Sequence, residues 1–194
     1  MTLEHSYTEA VESVIFDADQ IAEAVERLAE RIAADYRGQP LLLVAVLKGA
    51  LYFAADLSRA LARRVDGPSE VIVAYLTVSS YGNAHRSSGE VRLLKDTSTA
   101  VTGRQVLLVE DVVDNGLTLQ YLRGRLLDRG PASLRTCVLL DKPYRRFADV
   151  PLEYVGMVAP DDFIVGYGLD YQERFRNLPY LARLCPGVFL ERKG

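Results

Sequence analysis

Several stretches of the chain are apolar without interruption over the length of a strand. Residues 41–47 read LLLVAVL, and 71–78, 106–109 and 134–140 follow the same grammar, with weaker pieces at 154–158 and 163–165. Continuous rather than alternating apolarity marks strands covered on both faces. Between them the spacing lengthens to that of a helix. Ile21, Val25, Leu28 and Ile32 recur behind Asp19, a candidate cap, and the pattern ends at the turn from Gly38 to Pro40. Leu51, Ala55, Leu57 and Leu61 form a second helical stripe, and Leu119, Leu122 and Leu126 a third. Strands alternating with helices predict an α/β fold with a mostly parallel central sheet flanked by helices. Residues 79–105 break the rhythm: SSYGNAHRSSGE has little apolar periodicity, and a short hairpin around Val91 to Leu94 fits the remainder. Loops this long in compact domains are functional lids or disordered insertions, and we expect a lid over 79–95.

Composition narrows the class. At 194 residues, 49% hydrophobic and 25% charged, with no repeat or linker, the chain reads as one domain over 1–194. No apolar run approaches the ~20 residues of a membrane span, and Glu4, Glu9 and Glu12 stand where a secretion signal would be basic. A cytoplasmic protein with no membrane partner is expected. A net charge of −3 offers no general attraction for nucleic acid. Cys137 and Cys185 show no metal-ligand spacing and read as buried or idle thiols, and His5 and His85 as exposed side chains. There is no GxxxxGK[ST], and Gly166-Tyr167-Gly168 lacks a third glycine, which disfavours a P-loop kinase and a nicotinamide dehydrogenase.

The sharpest feature is VLLVEDVVDNGLT, residues 106–118. A buried strand runs into Glu110 and Asp111, and a turn of Asp114, Asn115, Gly116, Leu117 and Thr118 leads into the third helical stripe. Ligands of open α/β sheets bind beyond the carboxyl ends of strands. Neighbouring carboxylates on an extended backbone point to opposite sides, where they can hold two hydroxyls, or a hydroxyl and a metal-bound water. The turn offers unpaired backbone N–H groups and a glycine for close approach, which suits a phosphate. An ordinary capped strand-to-helix turn explains Asp114 and Gly116 equally well, but gives no reason for the acidic pair.

This segment resembles the phosphoribosyl diphosphate (PRPP) binding motif of type I phosphoribosyltransferases. VLKGALYF (46–53), SSYGNAHRSSGEV (79–91), DKPYRR (141–146) and PDDFIVGYGLDYQERFRNLPY (160–180) are similar to the hypoxanthine-guanine branch of that family. The likeness covers most of the chain from Leu41 to Pro179, and the first 35 or so residues carry no signature. It implies a type I phosphoribosyltransferase fold with a small hood from the chain termini and a mobile lid. The implied reaction moves the 5-phosphoribosyl group of PRPP to N9 of hypoxanthine or guanine, giving IMP or GMP and pyrophosphate, with magnesium as cofactor. A homodimer or homotetramer is implied as well.

The implied roles fall on particular residues. Glu110 and Asp111 hold the ribose hydroxyls directly or through magnesium, and Asp114 lies beside purine N7 as general base or acid. Donors from Asp114, Asn115, Gly116, Leu117 and Thr118 cradle the 5′-phosphate. The peptide between Leu47 and Lys48 is cis, with Lys48 and Gly49 turning N–H groups toward pyrophosphate. Ser80 and Tyr81 match the lid tip. Lys142 bonds the purine O6, Phe163 stacks on the base, and the Ile164 backbone reads its edge. Asp170 is a magnesium-linked carboxylate beside the base, and Arg176 a pyrophosphate contact.

Two departures stand out. Asn115 replaces the Thr or Ser of many relatives, and Leu117 a lysine found in some. A nucleotide-sensing regulator on the same fold is disfavoured by the acidic balance and the lack of a basic stripe. A xanthine- or pyrimidine-specific transferase would differ around Lys142 and Phe163.

Overall fold

The structure is a computed structural model that describes residues 10–80 and 91–190. Helix α1 (Ala18–Asp35) starts where the Asp17 carboxylate accepts the Gln20 N–H at 2.8 Å and the Gln20 side chain accepts the Asp17 N–H. This reciprocal cap satisfies two free donors at once. The cap is thus Asp17, and Asp19, the expected one, sits in the first turn, where its charge still favours the helix dipole.

The main sheet has six strands in the order β4-β3-β2-β5-β6-β7. These are β2 (Pro40–Leu47), β3 (Glu70–Ser80), β4 (Val91–Lys95), β5 (Gln105–Val113), β6 (Ser133–Asp141) and β7 (Tyr154–Val158). All neighbours are parallel except β3 and β4. The expected hairpin residues therefore form an antiparallel edge strand. The lid tip, including Tyr81 and His85, lies outside the described residues, as does His5; Ser80 is the last residue of β3.

Alternate residues of β2 enter two separate cores, which is the physical content of its unbroken apolarity. Leu41, Leu43 and Ala45 pack with α1 and with α2 (Leu51–Ala62) through Leu28, Ile32, Phe53 and Leu57. Leu42, Val44 and Val46 pack toward Leu119, Leu122 and Leu126 of α3 (Leu117–Leu127). Cys137 is buried in the first of these cores, and neither cysteine is in a disulfide.

A second sheet, in the order β1-β9-β8 and antiparallel throughout, forms the hood. Its strands are β1 (Val11–Phe16), β8 (Ile164–Val165) and β9 (Leu181–Leu184), so the unassigned N-terminal segment supplies an edge of the hood. The apolar piece at 163–165 belongs here and not to the main sheet. A short helix α4 (Pro186–Leu190) follows. No described helix is long and apolar enough to cross a membrane.

Candidate active site

Because β2, β5 and β6 run parallel, Leu47, Val113 and Asp141 end at the same edge of the sheet. The peptide joining Leu47 to Lys48 is cis, as expected. A Cβ on Gly49 would lie 1.9 Å from Asp111 Oδ2, and a Cβ on Gly168, at φ +104°, would lie 1.9 Å from the Gly49 carbonyl oxygen. Only glycine fits at 168, and any side chain at 49 would have to displace the Asp111 carboxylate. The turn after β2, the carboxylate of β5 and the hood loop therefore touch through bare backbone.

Glu110 is buried, and its Oε2 has no hydrogen-bond partner among the described residues. Burial pushes the Glu110 carboxyl well above the usual range, and the charge and hydrogen bond of Asp111 push the same way. Burial also raises Asp111, against backbone hydrogen bonds and the nearby Arg176 charge that lower it. An unpaired buried oxygen beside a raised neighbour is costly and suits a ligand bringing hydroxyl donors or a cation.

After β5 the chain turns through Asp114 to Gly116, whose φ of +83° lets α3 begin. The Asn115 carbonyl accepts N–H groups from Phe147 and Ala148 at 3.0 and 3.1 Å, and the Asn115 side-chain oxygen accepts the Leu117 N–H at 2.9 Å. One N–H of the expected phosphate cradle is therefore already capped, by the side chain that departs from Thr or Ser. The half-exposed Asp114 carboxylate faces Arg145 at 3.7 Å, and Arg145 also pairs with Asp161.

Lys142 is anchored by its N–H to the Val113 carbonyl at 3.0 Å, directly before Asp114. Its ammonium is buried and donates to the Asp162 carbonyl at 2.7 Å. Burial lowers its pKa, and the Asp114 charge opposes that shift. The Phe163 ring is 40% exposed and meets Tyr171 edge-on at 5.7 Å, so it is not a core residue. Ile164 is buried in the hood sheet opposite Arg183.

On the other flank Asp170 accepts from Arg176 at 2.8 Å and from the Glu173 N–H at 2.8 Å. Arg176 also donates to the Gly168 carbonyl at 2.7 Å. Lys48 pairs with Glu173 at 3.0 Å, and this contact, before all others, holds the Glu173 carboxyl below its ordinary range. No group of three or more His, Cys, Asp or Glu side chains converges as a metal cage among the described residues.

The sequence matches the phosphoribosyl transferase domain over residues 13–172. The chain belongs to the phosphoribosyltransferase family. The hypoxanthine-guanine phosphoribosyltransferase of Mycobacterium tuberculosis strain H37Rv is 48% identical over 189 residues, spanning 94% of this chain and 91% of that protein. That of Bacillus subtilis strain 168 is 44% identical over 179 residues, spanning 92% of this chain and 96% of that protein. A solved structure of the Trypanosoma cruzi hypoxanthine phosphoribosyl transferase superposes with a TM-score of 0.87 at 42% identity, covering 97% of this chain and 98% of that one.

Within this phosphoribosyltransferase, three residues enter the site that sequence reasoning left out. Gly168 was visible only as part of a failed dinucleotide fingerprint, although its close contact with Gly49 is what demands glycine. Arg145 stands between Asp114 and Asp161, and Glu173 between Lys48 and Arg176. Both are ordinary charges in charged stretches, and no local signal distinguishes them. A cavity of about 450 Å³ beside α1 and α2, lined by Tyr52 and Tyr167, shares only Arg176 with the candidate site.

Proposed function

We propose that the chain is a purine-salvage enzyme that moves the 5-phosphoribosyl group of PRPP to N9 of hypoxanthine or guanine and releases pyrophosphate. The observation that carries this reading is the contact of Gly49 with the Asp111 carboxylate, next to a helix start that can take a phosphate. It brings a diphosphate-type turn, a hydroxyl-binding acidic pair and a phosphate-type turn to one sheet edge, as PRPP with its two phosphate ends requires.

In the reaction N9 attacks ribose C1′, the bond from C1′ to the pyrophosphate oxygen breaks, and the proton on N7 passes to Asp114. Glu110 and Asp111 hold the ribose hydroxyls, and the 114–118 turn fixes the 5′-phosphate through the N–H donors that remain uncapped. Lys48, Gly49 and Arg176 face the leaving pyrophosphate, where negative charge builds in the transition state. Lys142 donates to the purine O6, Phe163 stacks on the ring, and the Ile164 backbone reads its edge. An ammonium has donors only, so it suits a 6-oxo group and meets the amine of adenine donor to donor. Exclusion of water from the site would protect PRPP from hydrolysis.

Magnesium suits this donor set. The ion dehydrates reluctantly and is commonly held by one or two carboxylates plus substrate phosphates, so a three-sided protein cage is not needed. Asp111 and Asp170, with Glu110 behind, are the residues that would hold it; when bound it supplies charge neutralisation at the pyrophosphate.

The reading extends to a cytoplasmic homodimer or homotetramer, supported by the exposed Leu51 and Tyr52 on α2, whereas Phe53 is fully buried and serves the core. The test is PRPP-dependent nucleotide formation against a panel of bases. Hypoxanthine and guanine should turn over, adenine should not, and excess chelator should abolish the reaction. Turnover of adenine at the rate of hypoxanthine, or full activity in chelator, overturns it.

A further inference from the structure

The proposed reaction turns the Lys48 backbone N–H and Arg176 toward pyrophosphate, and one carboxylate oxygen stands on the side-chain cations of both residues. Glu173 Oε2 lies 3.0 Å from Lys48 Nζ and 3.4 Å from the Arg176 guanidinium. A carboxylate oxygen shared by an ammonium and a guanidinium takes the kind of contact that a diphosphate oxygen would make with the same pair.

The three partners are not equally fixed. Arg176 is the anchored one: its side chain is 22% exposed and is tied to both the Gly168 carbonyl and Asp170. Lys48 and Glu173 are 62% and 63% exposed, so their pair is open to solvent and free to exchange. Their pairing is nevertheless specified by the backbone. Gln172 and Glu173 both adopt left-handed conformations, at φ 54° and 64°, which side-chain-bearing residues seldom do. The Glu173 N–H is fastened to Asp170, and Tyr171 and Arg174 exchange backbone hydrogen bonds across the turn. The turn thus aims an acid at the cations from a fixed base.

We propose that Glu173 is an affinity-setting residue of the pyrophosphate subsite, a built-in carboxylate that competes with the diphosphate group for Lys48 and Arg176. This rests on the phosphoribosyltransferase reading given above. The exchange makes and breaks no covalent bond: the diphosphate oxygen takes the place of Glu173 Oε2, and the carboxylate swings into water. Its consequence is weaker holding of both PRPP and the pyrophosphate product, and so an easier departure of that product.

The test compares the wild-type protein with Glu173→Gln, which keeps size and shape and removes the charge. Binding of inorganic pyrophosphate is measured by calorimetry with and without magnesium chloride, alongside the KM for PRPP. Glu173→Gln should tighten pyrophosphate and lower the PRPP KM by about 1.5- to fivefold, the range that exposed ion pairs support. Product inhibition by pyrophosphate should rise in parallel, and its salt dependence should steepen as Lys48 loses its internal partner and Arg176 keeps only Asp170. Glu173→Asp, which keeps the charge but withdraws it by one methylene, should fall between the two, and it carries the test if Glu173→Gln shows a lowered Tm. Unchanged affinity in both variants overturns the proposal and leaves a surface ion pair. Weakened affinity overturns it too, and makes Glu173 a ligand or a support for Lys48. A wild-type protein that binds neither PRPP nor pyrophosphate removes the phosphoribosyl reading itself, an outcome distinct from tight wild-type binding that the variants do not alter.

Discussion

The two turns proposed to hold the phosphate ends of PRPP leave the same sheet edge and are built on opposite principles. The 114–118 turn offers backbone N–H groups at a helix start, and Asn115, Leu117 and Thr118 bring no positive charge. The flank around Lys48 offers side-chain cations, each already paired with an acid. Backbone donors are fixed in place and short in range. Paired charges reach further, yet neighbours temper them and salt screens them. On this reading the first turn determines where the ribose sits and the second how firmly the pyrophosphate is held. A substrate held at one end by geometry and at the other by tunable charge can be oriented tightly and still lose its leaving group.

The largest effect should come from Asp114, which opens the first turn but is assigned a chemical rather than a holding role. Asp114→Asn should lower kcat by ~10²- to 10⁴-fold while PRPP binding, followed by calorimetry, changes little. Wild-type turnover with chemistry rate-limiting would reduce Asp114 to a turn residue. The next contrast sets Gly49 against Gly116. Alanine at 49 collides with the Asp111 carboxylate at 1.9 Å, so Gly49→Ala should cost on the order of 10²-fold in kcat/KM by displacing a positioned group. Alanine at 116 meets the Ala148 carbonyl only at 3.2 Å, but must hold φ +83°. Gly116→Ala should therefore show chiefly in stability, about 1–2 kcal/mol in a denaturation curve, with a smaller kinetic loss. Equal kinetic losses would mean that the two turns do not differ as described. The smallest effect is on salt dependence. Raising potassium chloride from low to physiological strength should raise the PRPP KM about two- to fivefold through the Lys48 and Arg176 side, while inhibition by the 5′-monophosphate product, which lacks the diphosphate, should shift less. Equal shifts would mean that the first turn, too, works by net charge.

Much of this architecture is written in local pattern. The strands β2, β5 and β6 announce themselves because both their faces are covered, and VLLVEDVVDNGLT places acids and a helix start at a strand end in a single stretch. Other features are nonlocal. The two-residue strand β8 is too short for its sequence to say which sheet it joins, and only its pairing with β9 decides. Lys48 and Glu173 are 125 positions apart, so nothing in either neighbourhood announces their contact. Two misses were readable. Asp17 followed three residues later by Gln20 is a reciprocal-cap signature, and it outranks Asp19. Gly168 sits in a Gly-Tyr-Gly that lacks the third glycine of a dinucleotide fingerprint, and steric approach to another backbone is the reason for a glycine there.

The hood also orders events in time. Its edge strand β1 is made before every strand of the main sheet, yet Val11 pairs with Leu184 and Phe16 with Leu181. Vectorial synthesis at roughly 5–20 residues per second leaves β1 without its partner until the whole main sheet has been made. The strands that carry the acidic pair and the phosphate-type turn have by then all been synthesised, and can align beforehand. A nascent chain can thus carry the acidic pair and the phosphate-type turn before the hood is complete, and a ribosome stalled short of β9 would present an unpaired edge strand, open to association with other chains.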